Sequence, residues 1–135
     1  MRTTITGLVL AAFVAAFVAA CAGSSTGALG FASAPADLDP NSPKVAARDI
    51  DFDRTDVAVP AGRAFILVFE NQESASHNVS IYRDAAFKDR IFEGVVFGGP
   101  ATRWYPVPAL TPGTYFFQCD IHPVPPMQGT ITAGL

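Results

Sequence analysis

From about residue 44 onward, the chain alternates between short apolar runs and clusters of turn residues. Ile50 and Phe52 alternate with aspartates, which is the period-two pattern of a half-buried strand. Residues 64–69 form a nearly continuous apolar run of strand length, and Gly98-Gly99-Pro100 is a strong turn signal. Residues 84–90 have mixed spacing and predict either a short helix or an irregular loop. About seven or eight short strands at such regular spacing predict an all-β sandwich or barrel.

The bulky apolar residues of these runs are the predicted core, because packing explains them better than site chemistry does. They are Phe52, Phe65, Leu67, Phe69, Val79, Ile81, Phe97, Trp104, Tyr115, Phe117 and Ile131. The remaining predicted strands cover residues 57–59, 78–82, 95–97, 102–107, 114–119 and 129–133.

A motif with the spacing Cys-x2-His-x4-Met follows the predicted strand at residues 114–119, and its members are Cys119, His122 and Met127. The chain has 2 histidines, and the second one, His77, lies upstream in Ser76-His77-Asn78. One thiolate, two imidazoles and a weak thioether are a soft ligand set, and they are the full inventory of a blue-copper site. A sandwich can place the start of one strand beside the loop that joins its last two strands. We therefore expect one copper ion at these four residues.

Taken singly, each of these residues has an ordinary structural explanation, since cysteine and methionine commonly fill cores. Zinc is the rival metal, but structural zinc sites use four Cys or His ligands, and the predicted domain offers three. Copper enzymes need further histidines for a substrate-binding copper, and both histidines are already used. We therefore do not expect an enzyme.

At Ser76-His77-Asn78 and at residues 117–129 the chain resembles the cupredoxins, the small blue-copper proteins of the plastocyanin and amicyanin type. The resemblance implies a Greek-key sandwich in which His77, Cys119 and His122 are equatorial ligands and Met127 is the long axial one. It also implies that Asn78 ties the two ligand segments together. The loop is unusually rich in proline before Met127, which leaves Gln128 as an alternative axial donor.

The N-terminus resembles a bacterial lipoprotein signal, with a basic start, an apolar run over residues 8–20 and Cys21 at its end. We expect residues 1–20 to be a signal peptide, with a transmembrane anchor as the alternative. Lipid on Cys21 would then tether the protein to the outer face of a bacterial membrane. Residues 21–43 contain few large apolar side chains and are expected to form a flexible spacer before a copper domain at 44–135.

Single-electron transfer between exported or membrane-bound redox proteins is the expected function, and a copper carrier or storage module is the alternative. A cupredoxin-like domain that has lost its copper is a third possibility, against which the intact ligand set argues. Pro123, Val124 and Pro125 beside His122 are the expected partner-facing patch. The 9 basic and 12 acidic side chains offer no basic surface for nucleic acid. A monomer is expected.

Overall fold

The computed structural model describes residues 28–134. The predicted signal peptide at residues 1–20 and the predicted lipidation site at Cys21 lie outside the described residues. Between residues 28 and 134, no helix is long and apolar enough to cross a membrane.

The described chain forms eleven strands and one 3₁₀ turn. In chain order they are β1 (Lys44–Arg48), β2 (Asp51–Phe52), β3 (Asp56–Pro60), β4 (Phe65–Asn71), β5 (Ser76–His77), β6 (Ser80–Tyr82), β7 (Arg90–Glu93), β8 (Phe97–Gly98), β9 (Ala101–Val107), β10 (Gly113–Gln118), η1 (Pro125–Met127) and β11 (Gln128–Gly134). Three of the strands, β2, β5 and β8, have 2 residues each. The all-β prediction is confirmed.

Two sheets make up the sandwich. One has the strand order β2-β1-β4-β9 and the other has the order β3-β11-β10-β6-β7. The short strands β5 and β8 pair with each other, so that His77 lies opposite Phe97. Strand β10 runs antiparallel to both β11 and β6, which places the end of β10 beside the start of β6.

The core fills the space between the sheets and is rich in aromatic rings. In β10 the period-two pattern turns Tyr115 and Phe117 inward, while β4 is buried along its middle because it lies inside its sheet. Phe69 stacks on Tyr105 with ring centroids 5.8 Å apart, and Phe52 lies 5.4 Å from Phe117. Nine of the predicted core residues are buried, but Phe65 and Trp104 are only partly buried.

The predicted strand around Ile50 is wrong in its detail. Asp49 and Ile50 form a two-residue turn between β1 and β2, with φ of 57° and 56°, and Arg48 pairs with Asp51 across it. Positive φ at both central residues is the geometry that joins two antiparallel strands without splaying them. The turn leaves Ile50 43% exposed instead of inward-facing. Residues 84–89 form a turn-rich loop and not a helix, and Arg90 begins β7.

Part of the segment expected to be a flexible spacer, around Leu29 and Phe31, pairs with the domain. Leu29 bridges to Gly94 beyond the end of β7, and Phe31 bridges to Trp104 in β9. Strands β7 and β9 are edges of the two different sheets, so the segment covers exposed edges. The composition did not indicate this, because the contact is made by backbone hydrogen bonds while Leu29 and Phe31 stay 44% and 48% exposed. For the rest of residues 21–43 the spacer stays a prediction.

Candidate metal centre

Three of the four predicted ligands come together at one end of the sandwich. The Sγ atom of Cys119 lies 3.7 Å from Nδ1 of His77 and 3.8 Å from Nδ1 of His122. The two Nδ1 atoms are 3.2 Å apart. The three atoms therefore form a triangle with two nearly equal sides to sulfur and a shorter side between the imidazoles.

The size of this triangle fits a first-row transition metal. Bonds of roughly 2.0–2.3 Å to nitrogen and sulfur, with angles of about 120°, place ligand atoms about 3.5–3.7 Å apart. His77 and Cys119 are fully buried, while His122 is partly exposed. A thiolate and two imidazoles in a site largely closed to water form a soft donor set, which favours copper over magnesium or calcium.

Strand pairing and a buried asparagine position His77. His77 ends the short strand β5 opposite Phe97, and the side chain of Asn71 donates to the backbone oxygens of Ala75 (2.7 Å) and Phe97 (3.0 Å). Gly99 is required beside Asn71, because a Cβ there would collide with the Asn71 carbonyl oxygen and lie 2.7 Å from that of Glu73. The ligand is thus held within a tightly packed corner.

The carboxylate of Glu73 orients the His77 ring. Its Oε1 atom lies 2.8 Å from Nε2 of His77 and also accepts the backbone N–H of Ile50 at 3.0 Å. The hydrogen bonds from Ile50 and from His77 lower the pKa of Glu73. The carboxylate is therefore ionised and only accepts hydrogen bonds. The Nε2–H of His77 therefore donates, and its Nδ1 lone pair is free for a metal. Sequence reasoning missed Glu73, although its place four residues before His77 was a possible signal.

The loop that carries the other ligands is closed by backbone hydrogen bonds. The N–H of Cys119 donates to the carbonyl of Met127 at 3.0 Å, which links the first and last ligand candidates. Inside the loop, Val124 donates to His122 and Met127 donates to Val124, both at 2.8 Å. Met127 ends the 3₁₀ turn and is fully buried. The loop is therefore a compact unit.

Gln128, the alternative axial donor, has a different environment from Met127. It begins β11 opposite Gln118, is partly exposed, and its amide lies 3.3 Å from the amide oxygen of Gln118.

Asn78 hydrogen-bonds across the two segments that carry the predicted ligands. Its side-chain oxygen accepts the backbone N–H of Asp120 at 2.9 Å, and its amide donates to the Asp120 carboxylate and to the Gly94 carbonyl, each at 2.9 Å. The residue is fully buried.

The predicted partner patch is exposed at the same end of the molecule. Pro123, Val124 and Pro125 are exposed, and Val124 keeps 41% of its surface. Ile121, which sequence reasoning did not include, is 46% exposed. Residues 121–127 contain no charged side chain. The partly exposed ring of His122 therefore lies among uncharged residues of its own loop.

These observations define a small β-sandwich with a soft-ligand metal site at one end. The family model of the cupredoxin-like domain matches residues 9–133, and the chain belongs to this family. No curated protein matches the chain significantly.

Solved structures share the fold at low sequence identity. Amicyanin from Paracoccus versutus is 21% identical with a TM-score of 0.55, over 73% of this chain and 87% of amicyanin. Auracyanin A, a blue copper protein from Chloroflexus aurantiacus, is 21% identical with a TM-score of 0.58, over 67% of this chain and 96% of auracyanin. Auracyanin from Roseiflexus castenholzii is 22% identical with a TM-score of 0.51, over 68% of this chain and 95% of that protein.

Proposed function

We propose that the protein is a blue-copper electron carrier that binds one copper ion at His77, Cys119 and His122. The observation that carries the proposal is the triangle of two Nδ1 atoms and one thiol sulfur, with sides of 3.2–3.8 Å, in a cupredoxin-like fold. Copper, when bound, supplies a one-electron couple between Cu(II) and Cu(I). Auracyanin A, which shares the fold, is a blue copper protein.

The protein's part in this function is to hold the ligands in one arrangement. Glu73 fixes the His77 tautomer, and the loop from Cys119 to Met127 is closed by its own hydrogen bonds. Pro123, Pro125 and Pro126 restrict φ within that loop. A site that does not rearrange between oxidation states lowers the reorganisation that accompanies electron transfer.

Met127 is the axial donor in this proposal. It is fully buried at the end of the ligand loop, whereas Gln128 is partly exposed and its amide pairs with Gln118. A thioether is the usual weak axial ligand of blue copper. Met127→Leu should keep the thiolate band and raise the reduction potential, because a weak donor to Cu(II) is lost. An unchanged potential would show that Met127 is not axial.

Electrons are proposed to leave through His122. Its ring is partly exposed among Ile121, Pro123, Val124 and Pro125, which suits transient docking of another redox protein on an uncharged surface. The proposed partners are exported or membrane-bound redox proteins. Lipid on Cys21 would hold the copper domain at the outer face of a membrane, close to such partners.

Copper titration with visible and EPR spectroscopy tests the function. Cu(II) added to the purified protein should produce an intense thiolate-to-copper charge-transfer band, and Cys119→Ser should abolish it. A colourless protein, or one that prefers zinc, would contradict the proposal. Reversible voltammetry then separates electron transfer from copper carriage, since a carrier should release Cu(I) readily.

A further inference from the structure

A cluster of polar side chains surrounds the carboxylate of Asp120, the residue directly after Cys119. Its side chain is 19% exposed. Oδ2 accepts hydrogen bonds from the Asn78 amide at 2.9 Å and the Ser80 hydroxyl at 2.6 Å. Oδ1 accepts the hydroxyl of Tyr82, and a guanidinium nitrogen of Arg90 lies 3.6 Å from Oδ2. Three donors and one cation thus converge on one carboxylate.

The side-chain partners of Asp120 all lie in the segment that follows His77, not in the ligand loop. Asn78 follows His77 directly. Ser80 is the first residue of β6, Tyr82 is its last, and Arg90 begins β7. The Asp120 backbone N–H also donates to Asn78 at 2.9 Å, so these two residues form a reciprocal pair of hydrogen bonds. Because the ladder between β10 and β6 ends at Gln118, these bonds continue the link into the ligand loop.

The chemistry of the cluster requires a carboxylate at position 120. Tyr82, Ser80 and the Asn78 amide all donate, and an ionised carboxylate has two oxygens that accept without donating. An asparagine side chain would turn its own NH₂ group toward one of these donors. At least one hydrogen bond to the carboxylate would then be lost.

We propose that Asp120 is a positioning residue of the metal centre, whose carboxylate sets the placement of Cys119 and His122 relative to His77. The proposal rests on the proposed copper function. It extends the linking role of Asn78 to a side chain that the Cys-x2-His-x4-Met motif does not specify. Removal of an outer hydrogen-bond partner of a metal site commonly costs ~10–100-fold in metal affinity or activity.

Two variants and a matched control test the proposal. Asp120→Asn removes the charge and part of the network, whereas Tyr82→Phe removes one hydrogen bond without a charge change. Asp56→Asn is the control, because Asp56 lies in β3 at the opposite edge of the same sheet and accepts from Thr130. For each protein, the measurements are Cu(II) affinity by competition titration, the EPR hyperfine coupling, and amide hydrogen exchange of residues 119–122 and Val124 without metal.

We expect Asp120→Asn to lower copper affinity by ~10–100-fold, Tyr82→Phe to lower it less, and Asp56→Asn to leave it unchanged. Both cluster variants should also change the hyperfine coupling. Each should speed the exchange of the backbone amide at position 120 in the metal-free protein. If Asp120→Asn fails to fold, Tyr82→Phe carries the same test.

Two outcomes would overturn the positioning role. One is that Asp120→Asn behaves like Asp56→Asn in all three measurements. The other is that only Asp120→Asn changes the coupling while Tyr82→Phe matches wild type, since the hydrogen bond from Tyr82 would then not help to position the ligand loop. Failure of the proposed function looks different, because the wild-type protein itself would show no blue band. Amide exchange in the metal-free variants would then still decide whether Asp120 holds the loop.

Discussion

Two loops of the five-stranded sheet, one after β6 and one after β10, are each organised by an aspartate, but in opposite ways. In the loop between β6 and β7, Asp84 accepts the backbone N–H groups of Ala86, Lys88 and Asp89 at 2.7–3.1 Å. In the ligand loop, Asp120 accepts from side chains 38–42 positions earlier in the chain. The first loop is therefore a local structure, whereas the second is positioned by the rest of the fold.

This difference predicts how each loop responds to substitution. A loop held by its own backbone should change alone, with little effect elsewhere. A loop held by distant strands should change whenever the packing of those strands changes.

Gly94→Ala should have the largest effect on the packing around Asn78, which holds the ligand loop from a distant part of the chain. A Cβ at Gly94 would collide with the Val79 carbonyl oxygen and lie 2.8 Å from the Tyr105 ring. Gly94 also accepts the hydrogen bond from Asn78. We expect a loss of ~3 kcal/mol in unfolding free energy, the upper end of the usual overpacking cost, measured by urea unfolding of the metal-free protein.

Gly134→Ala is the control, because an added Cβ there meets no atom within 4 Å. Equal stability of the two variants would show that the approach of residue 94 to Val79 is not required.

Glu73→Gln should lower copper affinity about tenfold. This is the lower end of the usual loss when a hydrogen-bond partner of a metal ligand is changed, because glutamine keeps one acceptor oxygen. Glu73 resembles Asp120 in that it joins distant segments, here His77 and the turn at Ile50. Competition titration measures the effect, and Glu70→Gln on the exposed face of β4 is the matched control. A copper affinity equal to that of the control would show that Glu73 does not support the metal centre.

Asp84→Asn should loosen only its own loop. The N–H groups of Asp89, Lys88 and Ala86 lower the pKa of Asp84 below its ordinary value of 3.8. A depressed pKa stabilises the fold above the unfolded-state value, and this stabilisation is lost as the pH falls through the folded-state pKa. Urea unfolding below about pH 4 should therefore depend less on pH in the variant than in wild type.

The copper spectrum of Asp84→Asn should match that of wild type. A changed spectrum would mean that the β6–β7 loop is coupled to the ligand loop, and the contrast between the two would fail.

Ile50→Gly should have the smallest effect, a gain of ~0.5–1 kcal/mol in unfolding free energy. Ile50 is a β-branched residue with φ of 56°, which is strained, while the added flexibility of glycine offsets part of the relief. Thermal unfolding measures the gain. Asp49→Gly is the control and should gain less, because aspartate tolerates a positive φ of 57° better. A larger gain from Asp49→Gly would contradict this explanation.

Much of the fold could be predicted because alternation and turn residues act locally. The strands around Phe69, Trp104 and Phe117 are close to their predicted positions. The turn at Asp49 and Ile50 could not be predicted, since isoleucine disfavours positive φ and only the pairing of β1 with β2 imposes it. The contact of Leu29 with the sheet edge was also hidden, because it uses backbone groups that composition does not describe.

The kind of site follows from the sequence alone, because the chemistry of a thiol, two imidazoles and a thioether is a property of the residues. The sequence also places Cys119, His122 and Met127 on one short loop. What holds these ligands in place emerges when the chain folds. Glu73 lies four residues before His77, but its link to the turn at Ile50 forms only in the folded chain. Asp120 is an ordinary acidic residue in the sequence, and it acquires its role when β6 and the ligand loop come within hydrogen-bond distance of each other. Hydrogen bonds act over about 3 Å, so partners separated by about 40 residues are visible only in the folded chain.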